Sequence, residues 1–313
     1  MEIILIFILF SIGSIIIIKG GNWFVDASIW IAEVSGISFG FVGATIISVA
    51  TTLPEFFVST IASSDGFSDM AVGNSIGSII CNIALILAIT TFIKPIEIKD
   101  SSFDSKGIMM LIYISIFFHM ASDGLISKLE GIVLVSLTIF FILINIIGQD
   151  SNRPKKRIRK YNFKNELTTN ILKFLIGGGL MILGADLLVE TGVEIAYFFR
   201  IPKQIISLTL LAFGTSIPEL TASVAAIKKG KDDIVSGNII GANILNICIV
   251  LGGSALVSSN GLVISKQTLV LDIPVAILFM LIFILPGILR RKIGRFSGAL
   301  LGILYIVYLK ILF

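Results

Sequence analysis

The chain has 313 residues, 56% of them hydrophobic and only 14% charged, with a net charge of +4 and a mean hydropathy of +1.02. Soluble domains carry about 25% charged residues, so this much apolar surface excludes a water-soluble core and makes the bilayer the solvent. The basic residues lie in short loops between apolar runs and form no continuous face, which excludes a nucleic-acid partner.

A helix needs roughly 17 to 25 apolar residues to cross a bilayer. Ten stretches qualify, at 3–22, 37–62, 69–93, 107–122, 129–148, 167–190, 204–227, 234–257, 268–288 and 295–312. The first follows only Met1 and Glu2, has no basic leader, and reads as a retained span rather than a cleaved signal. The fourth is the shortest. All must be helices, because the backbone polar groups need partners within each segment. The expected fold is an all-α integral membrane protein of ten transmembrane helices. Residues 1–148 form a first five-helix repeat, 149–166 a basic cytoplasmic linker that suffices as a topogenic signal, and 167–313 a second five-helix repeat.

The loops sort by charge. One set holds Lys94, Lys99 and Lys106, seven basic residues between Arg153 and Lys164, Lys228, Lys229 and Lys231, then Arg290, Arg291, Lys292 and Arg295, with Lys19 and Lys173 at span ends. The other set has only Lys128, Arg200, Lys203, Lys266 and Lys310. The positive-inside rule places the rich set in the cytoplasm and both termini outside. The composition fits a prokaryotic plasma membrane. Cys81 and Cys248 fall inside apolar segments, without a C-x-x-C pair, and read as small core residues. His119 reads as an interfacial histidine.

Shifting the chain against itself by 164 residues (219 − 55 = 164) aligns the halves without a gap. Gly20 meets Gly184, Asp26 meets Glu190, Thr51 meets Thr215, Pro54 meets Pro218 and Glu55 meets Glu219. Further on, Gly73 meets Gly237, Asn74 meets Asn238, Gly77 meets Gly241 and Asn82 meets Asn246. Each half has five spans, an odd number, so the second enters the membrane from the opposite side. Such inverted repeats are shared by many secondary transporters, whose substrate sites lie near the midplane.

The strongest local signal is Ala50-Thr51-Thr52-Leu53-Pro54-Glu55 with its twin Gly214-Thr215-Ser216-Ile217-Pro218-Glu219. A carboxylate at the bilayer centre costs roughly 2.5 to 3.5 kcal/mol, so two at matching positions need a reason beyond packing. Pro54 and Pro218 lack an N–H and break the helix against the carbonyls of Ala50 and Gly214. The freed carbonyls are tolerated at that depth only where they line a cavity or find a partner. Ser48, Thr51 and Glu55 are spaced i, i+3, i+7, and Ala212, Thr215 and Glu219 repeat the spacing, with only a carbonyl available at Ala212. Asn74, Ser78 and Asn82 recur every four residues, as do Asn238, Ala242 and Asn246. Gly73/Gly77 and Gly237/Gly241 are small pairs that allow close helix approach. The candidate ligands are therefore Glu55, Glu219, Thr51, Thr215, Ser48, Thr52, Ser78, Asn82, Ala212, Ser216 and Asn246. These are hard oxygen donors, suited to Ca²⁺ or Na⁺ and not to soft metals. Two carboxylates neutralise one Ca²⁺. Without it Na⁺ or protons must do so, because an empty doubly charged site is costly to move across a bilayer.

At these residues the sequence resembles the Na⁺/Ca²⁺ exchanger family of the cation/Ca²⁺ exchanger superfamily, prokaryotic type. GATIISVATTLPE with GNSIGSIICN, and LTLLAFGTSIPE with GNIIGANILN, look like its paired repeat motifs. The resemblance covers essentially the whole chain. It implies ten helices, with ion sites between the second, third, seventh and eighth. It implies that Glu55 and Glu219 ligate both Ca²⁺ and Na⁺, that Thr51 and Thr215 supply carbonyl or hydroxyl ligands, and that the first and sixth helices slide across the others. Three positions depart from the pattern: Ala242 replaces a serine that helps bind Na⁺, Asn246 stands where some members are acidic, and Thr52 replaces a serine.

The expected activity is secondary antiport of Ca²⁺ against Na⁺, with no cofactor and no obligate protein partner. The alternative keeps the architecture and makes H⁺ the counter-ion, prompted by Ala242. A channel fits the inverted repeat less well, and an intramembrane protease lacks any H-E-x-x-H or a histidine near the glutamates in sequence.

Overall fold

The protein is described from a computed structural model covering residues 2–147, 163–198 and 213–312. The first apolar run forms α1 (Glu2–Ser35) and ends at Gly36, whose positive φ no β-branched residue would accept. The second span is broken: α2 (Phe39–Thr51) and α3 (Leu53–Ser64) meet at Thr52 with a 44° bend. Then come α4 (Ser68–Ile93), α5 (Phe103–Met120), α6 (Lys128–Ile147) and α7 (Phe163–Phe198). In the second half follow α8 (Ile217–Lys228), α9 (Asp232–Val257), α10 (Thr268–Arg290) and α11 (Arg295–Leu312).

Eight of these helices are long and apolar enough to cross a membrane, and the bent pair makes a ninth span among the described residues. The expected span at 204–227 is described from residue 213 on, with its second limb as α8; the part of its first limb up to 212, Ala212 included, lies outside the described residues, as does most of the 149–166 linker. The fourth span is longer than its apolar run, because Phe103 and Lys106 are also buried at its start. Lys106 can be buried there because its ammonium meets Asp100 at 2.8 Å.

The 164-residue offset recurs in the helix limits: α3 and α8, and α4 and α9, begin and end at matching positions. Each half interlocks with the other. The fifth span of the first half, α6, packs on α9, and its twin α11 packs on α4. The two long first helices of the halves, α1 and α7, lie antiparallel in close contact. A Cβ on Gly20 would sit 2.8 Å from the Gly177 carbonyl, and one on Gly184 2.8 Å from the Ile17 amide. Only glycine permits that approach. The central helix is α9, in whose most apolar 18-residue stretch 94% of residues are buried, against 22% in those of α1 and α7. Its Gly237 and Gly241 lie directly on α2, where a Cβ would strike the carbonyls of Gly40 and Ala44.

Two small antiparallel ribbons cap the bundle. Ile96–Glu97 (β1) pairs with Lys292–Ile293 (β4), and Leu125–Ile126 (β2) with Leu262–Val263 (β3). β1 and β4 belong to lysine- and arginine-rich loops; β2 and β3 belong to the poor set. Lys94 binds Asp232 at 2.9 Å and Arg291 binds Asp104 at 2.7 Å, again joining loops of the rich set. The alternation of loop charge along the chain therefore agrees with which loops meet in space. One end of the bundle is a basic face; the other is its opposite face.

Candidate cation-binding site

The site grows from the two helix breaks. Thr52 takes φ −82°, ψ −2° and Ser216 φ −85°, ψ −1°, so the chain turns at the same position in both halves. A new helix begins at once, with Pro54 and Pro218 in its first turn, where a missing N–H costs nothing. The carbonyls of Ala50 and Gly214 then have no i+4 N–H. Glu55 and Glu219 fall in the first turn of α3 and α8, at the positive end of each helix, which suits a carboxylate. The C-terminal end of α2 brings partial negative charge to the same place, which suits a cation.

Both carboxylates are 0% exposed. Neither oxygen of Glu55, nor Oε2 of Glu219, has a hydrogen-bond partner among the described residues. The hydroxyls of Thr215 and Ser78 face Glu55, and those of Thr51 and Thr52 face Glu219. Thr52 Oγ1 donates to Glu219 Oε1 at a long 3.5 Å. Glu219 thus faces two threonines of the first half, and Glu55 one threonine of the second half together with Ser78 of its own. Ser78 Oγ lies 3.3 Å from Thr215 Oγ1, which in turn donates to Asn74 Oδ1 at 3.3 Å.

Asn82 and Asn246 are fully buried, and no amide atom of either has a partner among the described residues. Each opens a widened π-helical turn, Asn82–Ile86 and Asn246–Leu251, a feature that recurs at functional sites. Ser216 Oγ is likewise buried without a partner. Ser48 is buried, but its hydroxyl donates to the Thr45 carbonyl at 3.3 Å and packs toward Gly241. The break at Thr52 falls inside the Ser48–Thr51–Glu55 spacing, so the three do not lie on one continuous helix.

Leaving a buried polar group unpaired costs roughly 1 to 3 kcal/mol, more for a charged one. So many unpartnered oxygens near two buried carboxylates therefore call for a bound cation or protons. Among the described residues no three His, Cys, Asp or Glu come together. A cation here would be held by two carboxylates and by neutral hydroxyl, amide and carbonyl oxygens. Such a donor set suits a hard ion with about six to eight oxygen ligands, such as Ca²⁺.

Sequence reasoning missed one pair. Asn74 Nδ2 donates to Ser59 Oγ at 2.9 Å, and Asn238 Nδ2 to Ser223 Oγ at 3.3 Å. Ser59 and Ser223 are themselves 164 apart, four residues beyond the glutamates. That duplication was visible in the sequence. Their direction was not. Cys81 and Cys248 are buried free thiols, and His119 is exposed on α5.

The sequence profile described as "Sodium/calcium exchanger protein" matches residues 5–147 and 169–313. An uncharacterized membrane protein of Methanocaldococcus jannaschii is 33% identical, over 95% of this chain and 95% of its own. The sodium/calcium exchanger MaX1 of Methanosarcina acetivorans is 29% identical, over 98% of each chain. A solved structure of the sodium-calcium exchanger NCX_Mj, soaked with 10 mM Na⁺ and zero Ca²⁺, superposes with a TM-score of 0.86 at 31% identity, covering 97% of this chain and 98% of that one. With the profile spanning both halves and both helix breaks, this chain belongs to the sodium/calcium exchanger protein family.

Proposed function

We propose that this protein is a secondary active antiporter that exchanges Ca²⁺ for Na⁺ by alternating access, with the ions bound around Glu55 and Glu219. The observation that carries this reading is the pair of fully buried carboxylates, three of whose four oxygens have no partner among the described residues. Thr51, Thr215, Thr52, Ser78, Asn82, Ser216 and Asn246 complete the ligand set by hydroxyl, amide or carbonyl oxygens. Ser48 contributes a lone pair of its hydroxyl, whose proton goes to the Thr45 carbonyl, because its own carbonyl already accepts from the Thr52 N–H and the Thr51 hydroxyl.

The two carboxylates set the coupling. One Ca²⁺ neutralises them, and the site crosses the membrane barrier at low cost only when they are neutralised. Return therefore requires another cation in the site, and this reading assigns that role to Na⁺. The two inverted halves, 1–148 and 167–313, supply nearly equivalent walls, and exchanging their conformations exposes the site to each face in turn. We place the basic face in the cytoplasm of a prokaryotic cell and both termini outside. The substrates are the ions, and the bilayer is the only other partner the reading requires.

A second reading, H⁺ as counter-ion, is favoured by one observation. Ala242, the twin of Ser78, is fully buried and has no hydroxyl to offer Na⁺. Proteoliposomes loaded with Na⁺ and diluted into Na⁺-free buffer, with equal pH on both sides, separate the two. Uptake of radiolabelled Ca²⁺ that disappears when K⁺ or choline replaces internal Na⁺ establishes Na⁺ exchange. Uptake driven only by a pH gradient moves the assignment to protons.

A further inference from the structure

The two halves are near twins, yet among the described residues the two sides of the site differ in open space. On the opposite face a cleft of about 220 Å³ runs between α7 and the broken spans, lined by Asp186, Glu190, Pro54, Val58, Thr215 and Pro218. On the other side of the site, Ala50 and Thr51, the twins of Gly214 and Thr215, line a void of only about 10 Å³. That is barely the space of one water molecule.

One turn of chain also differs between the two ends. The twins of Asp186 and Glu190 are Asn22 and Asp26. Lys229, in the turn between α8 and α9, takes both: its ammonium lies 2.9 Å from Asp26 Oδ1 and donates to the Asn22 carbonyl at 2.9 Å. Two residues on, Lys231 reaches Glu33 Oε1 at 3.4 Å and lies 3.9 Å from the centre of the Phe39 ring. The basic-face end of α1 is thereby tied to the α8–α9 turn. The repeat cannot make the same tie at the other end, because the twins of Lys229 and Lys231 are Asp65 and Phe67. Asp65 cannot pair with Glu190.

We propose that Lys229–Asp26 and Lys231–Glu33 form a one-sided latch that closes the basic face and biases the transporter toward the conformation open on the opposite face. The proposal rests on the alternating-access reading above. Asp26 is 50% exposed and Lys229 26%, so water reaches the pair and the latch can open in each cycle. Half-exposed pairs of this kind are individually weak. Together they shift the equilibrium between the two conformations by roughly three- to tenfold.

Hydrogen exchange read by mass spectrometry on the purified full-length protein saturated with Ca²⁺, which neutralises the two carboxylates and lets the conformations interconvert, tests this with the variant K229Q/K231Q. The expected result is reciprocal: exchange rises about three- to tenfold over 22–35 and 228–233, and falls over 182–190, where the opposite cleft closes. The charge swap D26K/K229D should restore the wild-type pattern. A rise confined to 22–35 and 228–233 marks local loosening and overturns the latch, as does an unchanged pattern. Ca²⁺ uptake by the wild type is measured in the same preparation. Normal uptake with an unchanged exchange pattern sinks the latch alone, whereas no uptake under any cation gradient sinks the transport reading and the latch with it.

Discussion

Asn74 donates from its amide to the hydroxyl of Ser59 at 2.9 Å, and this bond orients the Asn74 carbonyl oxygen toward Thr215 of the other half. In the second half the twin bond from Asn238 to Ser223 is present, but Asn238 Oδ1 has no partner among the described residues. Thr51, which would complete it, turns its hydroxyl to the Ser48 carbonyl at 3.4 Å. The two halves of the site are thus built alike and finished differently.

Glu55→Gln or Glu219→Gln should abolish Ca²⁺ uptake while the protein still elutes as a single species by size exclusion. Each exchange removes one of the two charges that neutralise a divalent ion. Uptake at the wild-type rate in either variant would refute the ligand assignment.

Ser59→Ala should weaken the apparent affinity for Ca²⁺ by about tenfold, since the Asn74 amide then keeps only its long 3.4 Å bond to the Glu55 carbonyl and one buried N–H loses its acceptor, a loss of roughly 1 to 3 kcal/mol. Ser223→Ala should do less, because its bond to Asn238 is longer. Concentration dependence of uptake in proteoliposomes decides it. Equal affinities for Ser59→Ala and wild type would mean that the bond does not position the site.

Ala242→Ser restores the hydroxyl that Ser78 provides in the first half. Uptake should then saturate at a lower internal Na⁺ concentration. An unchanged Na⁺ dependence would show that this position does not contribute to Na⁺ binding.

Gly241→Val places a side chain where the Ala44 carbonyl already sits, so α9 and α2 must separate. Overpacking of this kind costs roughly 1 to 3 kcal/mol. The expected outcome is a lower melting temperature in detergent, read by thermal unfolding. An unchanged midpoint would show that the contact yields at no cost.

Asp100 caps the basic face. Burial pushes its carboxyl up, but the Lys106 ammonium at 2.8 Å and hydrogen bonds from Ser102 outweigh that and hold it below the usual carboxylate range. A lowered folded-state value means that the unfolded chain binds the proton more readily. The stabilisation is therefore complete above the unfolded value, near 3.9, and is lost as pH falls through the folded one. Asp100→Asn should remove this acid dependence, so that the melting temperatures of variant and wild type converge at low pH. Parallel curves at all pH values would contradict it.

Much of the fold was legible because the bilayer imposes simple rules. Each span must satisfy its own backbone, so apolar length reported helices, and loop charge reported which loops share a face. The break at Thr52 was legible through Pro54, since a missing N–H acts locally. The π-helical turns at Asn82 and Asn246 were not, because no residue type compels a widened turn; it depends on what the neighbouring helices admit. Ser59 and Ser223 were present in the repeat but indistinguishable from the many serines whose hydroxyls bond their own helix.

The sequence by itself determined the membrane setting, the inverted repeat, and the identity of the buried carboxylates, because composition, a fixed offset and intramembrane charge are properties of the chain alone. Tertiary structure decided which threonine faces which glutamate, and which end of α1 is tied to the α8–α9 turn. Those outcomes depend on how α3 and α8 cross between the halves and on where Lys229 lands beside Asp26, a contact between residues 203 positions apart (229 − 26 = 203) that no local rule could have paired.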